Sequence, residues 1–308
     1  MTEAPSPEAM SVCPPATATP ITNPGSILFS RKDQIFVMYA DGTEVRQLTD
    51  GSSGAYRPDW SPDGNEFIFE SRREDRYDTG GIGNQHLFVM DVDGFVGQLT
   101  GINEDWEFDP SWSPDGSQIA FVRLGGIFVM NADISGLRQL TNTLNDDRDS
   151  NPVWSPDGRR IAFIRDSGDP DGGAEILVLN LDGTSLRRLF KSDGALRYLA
   201  WSPKGNKIAF IQQWYRVEEA SSAQSIFVIN TDGTGLEQLT DNEDSEHGLA
   251  WSPDAEKIAF SRVWWNGGIQ VMNADGTNVV ATGIDGVPHS WTCSESFIKA
   301  IRSFIKTT

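Results

Sequence analysis

Thiols, imidazoles, basic charge and long apolar runs are all scarce in this chain. Two cysteines, Cys13 and Cys293, sit near opposite ends of its 308 residues, and three histidines, His86, His247 and His289, fall in different parts of it without metal-ligand spacing. The plainer reading of the cysteines is two unrelated thiols. The alternative is a disulfide tying the start of the chain to its end, which would imply an oxidising compartment. Lysine and arginine number 25 against 44 acidic residues, a formal charge of −19. Nucleic acids and anionic membrane surfaces need a net basic footprint, so both are disfavoured as partners, whereas cationic partners and divalent cations are favoured. There is no stretch of apolar residues long enough to span a bilayer. No Gly-x-Ser-x-Gly elbow, phosphate loop or His-Glu-x-x-His is present, so no catalytic residue is assigned and a non-enzymatic role is favoured.

What the chain has in abundance is repetition. Trp60 to Phe69 reads WSPDGNEFIF, Trp112 to Phe121 WSPDGSQIAF, Trp154 to Phe163 WSPDGRRIAF, Trp201 to Phe210 WSPKGNKIAF and Trp251 to Phe260 WSPDAEKIAF; an eroded copy starts at Trp291. The tryptophans are 40 to 52 residues apart. Such a period marks stacked supersecondary units. After each motif comes an apolar run such as Ile127-Phe128-Val129-Met130, a turn such as Asp182-Gly183, and a Gln-Leu-Thr or its variant. Short β-branched and aromatic runs bounded by turn residues are strand signals, so each unit is expected to hold four strands, starting near the Trp, the Ile-Ala-Phe, the Ile-Phe-Val-Met and the Gln-Leu-Thr. Ser-Pro-Asp-Gly suits a type I turn and Asp-Gly a tight hairpin, which makes the repeated aspartates turn formers and the repeated tryptophans core fillers.

The two ends complement each other. Ile27 to Thr49 supplies three strands without a tryptophan strand, and Ser290-Trp291 supplies a tryptophan strand with little behind it. Pairing them closes a ring and removes the open edge. The fold expected is all-β: a six-bladed β-propeller of four-stranded antiparallel blades over residues 26–295. Residues 1–25, rich in Pro, Ala and Thr and without the apolar core of a signal peptide, are expected to be a flexible lead-in. Residues 296–308 are expected to form a tail with a short helix.

The pattern WSPDG-x-x-IAF, IFVM-N-A-D-G, QLT resembles the TolB-type β-propeller repeat, also called the WD40-like or PD40 repeat, from residue 26 to about 293. The resemblance implies six blades and a periplasmic or extracellular location. TolB itself carries an additional N-terminal α/β domain, for which the sequence before residue 26 is too short. Related propellers accompany hydrolase domains in some peptidases or occur in oligogalacturonate lyases, but neither a hydrolase domain nor the metal histidines of the lyases can be matched here. Lys204, Ala255 and the motif after Trp291 depart from the repeat.

In an antiparallel blade the Ser-Pro-Asp-Gly and Asp-Gly turns share one face of the disc. The long, varied connections share the other, where binding residues concentrate. Trp106, Phe108, Tyr198, Trp214, Tyr215, Trp264 and Trp265 fall in those connections, with His247 and His289 close to the channel, and form a candidate binding surface. Glu107, Asp109, Asp149 and Glu246, where the chain enters the inner strands, are candidate oxygen ligands for Ca²⁺ or acceptors for a partner's Lys and Arg. A monomeric propeller that binds a protein or peptide is the leading expectation. A carbohydrate-binding or carbohydrate-cleaving propeller is the alternative.

Overall fold

A computed structural model describes residues 25–49, 54–72, 85–101, 105–143, 146–168, 173–216, 221–241, 245–262 and 267–293. They form six four-stranded antiparallel sheets arranged as blades around a central axis. Blade 1 runs from its inner strand Ala55–Trp60 through Glu66–Ser71 and His86–Asp91 to its outer strand Val96–Gln98. Blades 2 to 5 repeat that order from the inner strands Glu107–Trp112, Arg148–Trp154, Ala195–Trp201 and Glu246–Trp251. Blade 6 joins the two ends: Val287–Thr292 is its inner strand, and Ser26–Arg31, Gln34–Tyr39 and Arg46–Gln47 follow outward. The closure is a register of paired residues that includes Ile27 with Trp291 and Ser26 with Thr292. The ring expected from the sequence is therefore formed. Among the described residues no helix is long and apolar enough to cross a membrane.

The repeat motif explains the blade. In all five copies the peptide N–H three residues after the serine donates to the serine carbonyl, as Gly116 does to Ser113 at 2.9 Å, and in the four copies that keep the aspartate the serine hydroxyl donates to it, as Ser113 does to Asp115 at 2.6 Å. Gly116 takes φ +70°, a left-handed conformation that costs glycine little; Ala255 accepts φ +59° at the same place in blade 5. Lys204 has no carboxylate to offer its serine and instead reaches Glu256 of the next blade at 2.5 Å. The threonine of Gln-Leu-Thr caps the third strand: its hydroxyl accepts the N–H of Ile35, Leu87, Ile127 or Ile226 at 2.8 to 3.0 Å. The turn aspartates are thus consumed locally, and hydrogen bonds from Thr184 hold the exposed Asp182 carboxyl below the usual carboxylate range.

The six repeat tryptophans are 5 to 9 % exposed. Trp60 packs with Leu28 and Ile35 of blade 6 as well as Phe67 and Phe69 of its own blade. Trp201 and Trp154 likewise sit among residues of two blades. Burying an indole between sheets removes a large apolar surface from water and locks neighbouring blades together.

Two expectations need correction. In blades 1 to 5 the inner strands end at the tryptophans instead of starting there, because the proline two residues later cannot extend the ladder; in blade 6 the strand runs one residue past Trp291. Phe108 and Tyr198, placed in the varied connections by the sequence, lie in the inner strands Glu107–Trp112 and Ala195–Trp201. Trp214 and Tyr215, placed in a connection by the sequence, lie in strand too, since Lys207–Arg216 and Ser221–Asn230 pair as far as Arg216 with Ser221.

Candidate functional site

Every inner strand carries a bulge at the same place. The register skips the second and third residues before the tryptophan in blades 1 to 5, and skips His289 in blade 6. The third residue before the tryptophan is Arg57, Asp109, Asn151, Tyr198 or Gly248, with φ between +48° and +66°. A bulge in the left-handed region turns the strand and re-aims its side chain, here toward the mouth of the channel.

These side chains link blade to blade. Arg57 pairs with Asp109. Asp109 Oδ2 accepts both the backbone N–H of Asn151 at 2.9 Å and its side-chain amide at 2.8 Å. Asn151 Oδ1 accepts the N–H of Tyr198 at 2.8 Å. Tyr198 then stands edge-on to His247, ring centres 6.1 Å apart. Gly248 interrupts the series, since a Cβ there would collide with the Pro288 carbonyl. One layer down, Asp59 accepts the N–H of Trp112 and the hydroxyl of Ser290, each at 2.8 Å.

This polar half-ring, with Asp59, His289 and a set of prolines and leucines that includes Pro110, Pro152 and Leu249, encloses a cavity of about 110 Å³. That is room for a few waters and no more. Above it the blades open into a bowl of about 1270 Å³. The bowl is lined by Tyr56, Arg57, Glu70 and Arg72 from blade 1, and by Asp105, Trp106, Phe108 and Leu124 from blade 2. Blade 3 adds Asp146, Asp147, Arg148, Asp149 and Asp166; Tyr198 and His289 complete it.

Three titratable groups sit in unusual surroundings. Burial pushes the Glu70 carboxyl up to about 7, against the pull of Arg57. It is 2 % exposed, accepts the N–H of Asp109 at 2.5 Å and contacts the Gln85 amide. Burial raises Asp59 to about 6. His289 is lowered to about 3 by burial and by the neighbouring Arg57 charge; its Nε2 lies 2.8 Å from the Ser30 hydroxyl.

The bowl gathers six of the residues singled out from sequence: Trp106, Phe108, Tyr198 and His289 of the candidate binding surface, and the carboxylates Asp109 and Asp149. Trp106 is 40 % exposed and lies 5.8 Å from the Phe108 ring. Trp214 stands apart, packed edge-on to Phe227 at 5.6 Å, and His247 lines neither cavity. Trp264, Trp265, Cys13 and residues 296–308 lie outside the described residues, as does the Tyr215 side chain; Cys293 is exposed.

Of the four carboxylates considered for Ca²⁺, Glu107 contacts His86 at 3.3 Å, and Asp149 holds Arg165 through two hydrogen bonds of 2.6 and 2.8 Å. Glu246 accepts the Thr240 hydroxyl at 2.6 Å, with Arg262 at 3.7 Å, while Asp109 is shared by Arg57 and Asn151. Among the described residues no three His, Cys, Asp or Glu side chains converge to hold an ion. Arg57, Glu70, Asn151 and Leu124 were not singled out from the sequence. Aligning the residues that precede each repeat tryptophan would have exposed the first and third as members of one ring.

Comparison with known proteins agrees with this architecture. The profile of the TolB beta propeller domain matches residues 26–204 and 98–277. An uncharacterised protein of Agrobacterium fabrum is 34% identical over 99 residues, 29% of this chain and 32% of that protein. TolB from Acinetobacter baumannii superposes with a TM-score of 0.67 at 20% identity, over 87% of this chain and 66% of its own. A TolB-like protein from Agrobacterium tumefaciens gives 0.63 at 20% identity, over 88% and 92%. An oligogalacturonate lyase in complex with manganese gives 0.55 at 15%, over 77% and 70%. The chain thus spans a third of the first relative and about two thirds of the first TolB. With its repeats, its six blades and a profile match over most of its length, the chain belongs to the TolB β-propeller domain family.

Proposed function

We propose that this propeller is a non-catalytic binding module that takes a protein or peptide segment in the bowl on its loop face. The observation that carries the reading is the bowl itself. Its volume of about 1270 Å³ exceeds the 300 to 1,000 Å³ range of small-molecule pockets, and an exposed tryptophan stands on its wall. Rigid aromatics beside charged groups are the composition of interface hot spots, and loops on a fixed scaffold are where recognition concentrates. A periplasmic or extracellular location, which the family resemblance implies, belongs to the same proposal.

Peptides selected by display against the whole chain provide the test. Trp106→Ala and Tyr198→Ala are expected to weaken the selected peptides at least tenfold with the melting temperature unchanged for Trp106→Ala. Undiminished capture by both variants refutes the reading. The exposed Trp106–Phe108 pair also suits stacking on a sugar ring, and lyases share the fold. A glycan array read with and without EDTA decides that alternative: absence of glycan binding in both arms removes it.

A further inference from the structure

The wall of the bowl where blade 2 meets blade 3 carries two exposed large apolar side chains, Trp106 and Leu124. Between the second and third strands of blade 2, Gln118–Arg123 and Gly126–Asn131, the chain turns through only Leu124 and Gly125. Both have positive φ, +50° and +76°. A turn of that kind favours Asn-Gly or Asp-Gly, and a leucine in the left-handed region is sterically penalised. Leu124 is nevertheless 70 % exposed, so it is neither relaxed nor buried there. It shares the bowl with Val122, Phe108 and the exposed Trp106. Ile134, in a turn on the opposite face, combines positive φ with exposure as well, so it is the place of Leu124 beside Trp106 in the bowl that marks it as a contact for a ligand.

The facing wall is acidic. The Gly125 carbonyl accepts the N–H of Asp149 at 2.8 Å, which fixes the leucine turn against the start of the blade 3 inner strand. That segment brings Asp146 and Asp147 into the bowl, and Asp166 joins them from the second strand of blade 3. Asp149 is satisfied by Arg165 and Asp105 by Arg123. Asp146, Asp147 and Asp166 form no ion pair among the described residues; Asp147 accepts the Gly168 N–H at 3.2 Å, the charges of Arg165 and Arg197 act on Asp147 and Asp166, and the exposed Arg148 stands beside them. The whole molecule carries a formal charge of −19, so the long-range field draws the same sign of ligand to this wall.

We infer that the blade 2–blade 3 wall is a two-part subsite for an extended peptide segment that places an apolar side chain on Trp106 and Leu124 and a lysine or arginine against Asp146, Asp147 and Asp166. The inference rests on the reading of the bowl as a peptide site and names the class of peptide. Burial of the anchor in the bowl strengthens the neighbouring charge pair by excluding water, and the spacing of anchor and cation supplies the specificity.

An array of immobilised twelve-residue peptides tests it, with four compositions: apolar anchor with lysines, apolar anchor with glutamates, lysines alone and neither. The full chain is expected to hold anchor-with-lysine peptides at least tenfold more tightly than the other three. That preference should fall at least tenfold in Trp106→Ala and in Asp146→Asn/Asp147→Asn, and the double variant should also lose salt dependence. Leu124→Asn is expected to bind at least threefold more weakly while melting at a higher temperature, because Asn tolerates the turn. Leu186→Asn, on the opposite face, serves as the control and should change neither. Equal or tighter binding of anchor-with-glutamate peptides that still depends on Trp106 overturns the inference and leaves the bowl as a peptide site. Lysine-only peptides bound equally well, with no effect of Trp106→Ala, overturn it as well by showing unspecific charge attraction. Binding of no peptide at all, or binding indifferent to every bowl variant, overturns both readings.

Discussion

Glu70 illustrates how a single buried acid can report on this site. Its carboxyl is raised from 4.5 to about 7, so the native state holds its proton more tightly than the unfolded chain does. Between those values unfolding releases that proton, and the stability present below pH 4.5 is lost as the pH rises through 7. A shift of that size corresponds to about 3 kcal/mol. His289 acts in the opposite sense. Its folded value of about 3 lies below the ordinary 6.5, so it penalises the native state in acid and that penalty disappears as the pH rises toward 6.5. Glu70→Gln isolates the first effect, since His289 is common to both proteins. The variant keeps an oxygen to accept the Asp109 N–H, and its stability relative to wild type should improve by up to about 3 kcal/mol between pH 4.5 and 8. Urea denaturation at several pH values measures this; a difference that does not vary with pH contradicts the burial argument. The Arg57–Asp109–Asn151 series makes a second residue-scale statement. Asp109→Ala leaves Arg57 and the Asn151 amide without their acceptor, at an expected cost of about 2 to 4 kcal/mol in the same measurement.

At the scale of the element, the bulged inner strand decides what the channel admits. Pro58, Pro110 and Pro152 lie within strands, which is tolerated because the bulge suspends the ladder there. Those prolines, the varied residues around them and the broken alternation make the inner strands read as loops, whereas the second and third strands are uniform apolar runs buried between blades and are legible. Gly248 is the point where the ring of bulge side chains is interrupted. It has φ +66°, and any Cβ would meet the Pro288 carbonyl and the Val287 side chain. Gly248→Ala is expected to cost about 1 to 3 kcal/mol and to loosen the contact between blades 5 and 6. Hydrogen exchange should show faster opening at Val287–Thr292 than elsewhere; uniform protection with an unchanged melting temperature would contradict this account.

For the whole molecule, closure by strands from the two ends of the sequence is the main constraint. Val287–Thr292 is paired with Ser26–Arg31 and also packs against the inner strands of blades 1 and 5. Removing residues from 287 onward would expose the edge of Ser26–Arg31 and leave Leu28 and Trp60 half covered. The truncated chain should lose its single cooperative transition and tend to associate through the bare edge. Calorimetry with light scattering reads both effects, and a monomer melting as sharply as the full chain would show that closure contributes little. The bowl is a property of this same scale, because its walls come from blades 1, 2, 3, 4 and 6.

The sequence by itself determined the number of blades, the pairing of the ends, the role of Trp-Ser-Pro-Asp-Gly as core filler and turn, and the face on which variable side chains collect. Those follow from short-range rules that recur in every unit: a proline that stops a strand, a left-handed residue after an aspartate, an indole too large to leave in water. Only the tertiary structure decided which of the variable residues meet. Trp106 and Leu124 share a wall with Asp146 because a hydrogen bond joins two blades there, whereas Trp214 lies in a strand of blade 4 and packs against Phe227 of the strand beside it. Arg57, Asp109 and Asn151 become one network through bulges that local sequence does not announce. Contacts between blades depend on positions about 45 residues apart and on the angle at which neighbouring sheets pack, and no local pattern encodes that angle.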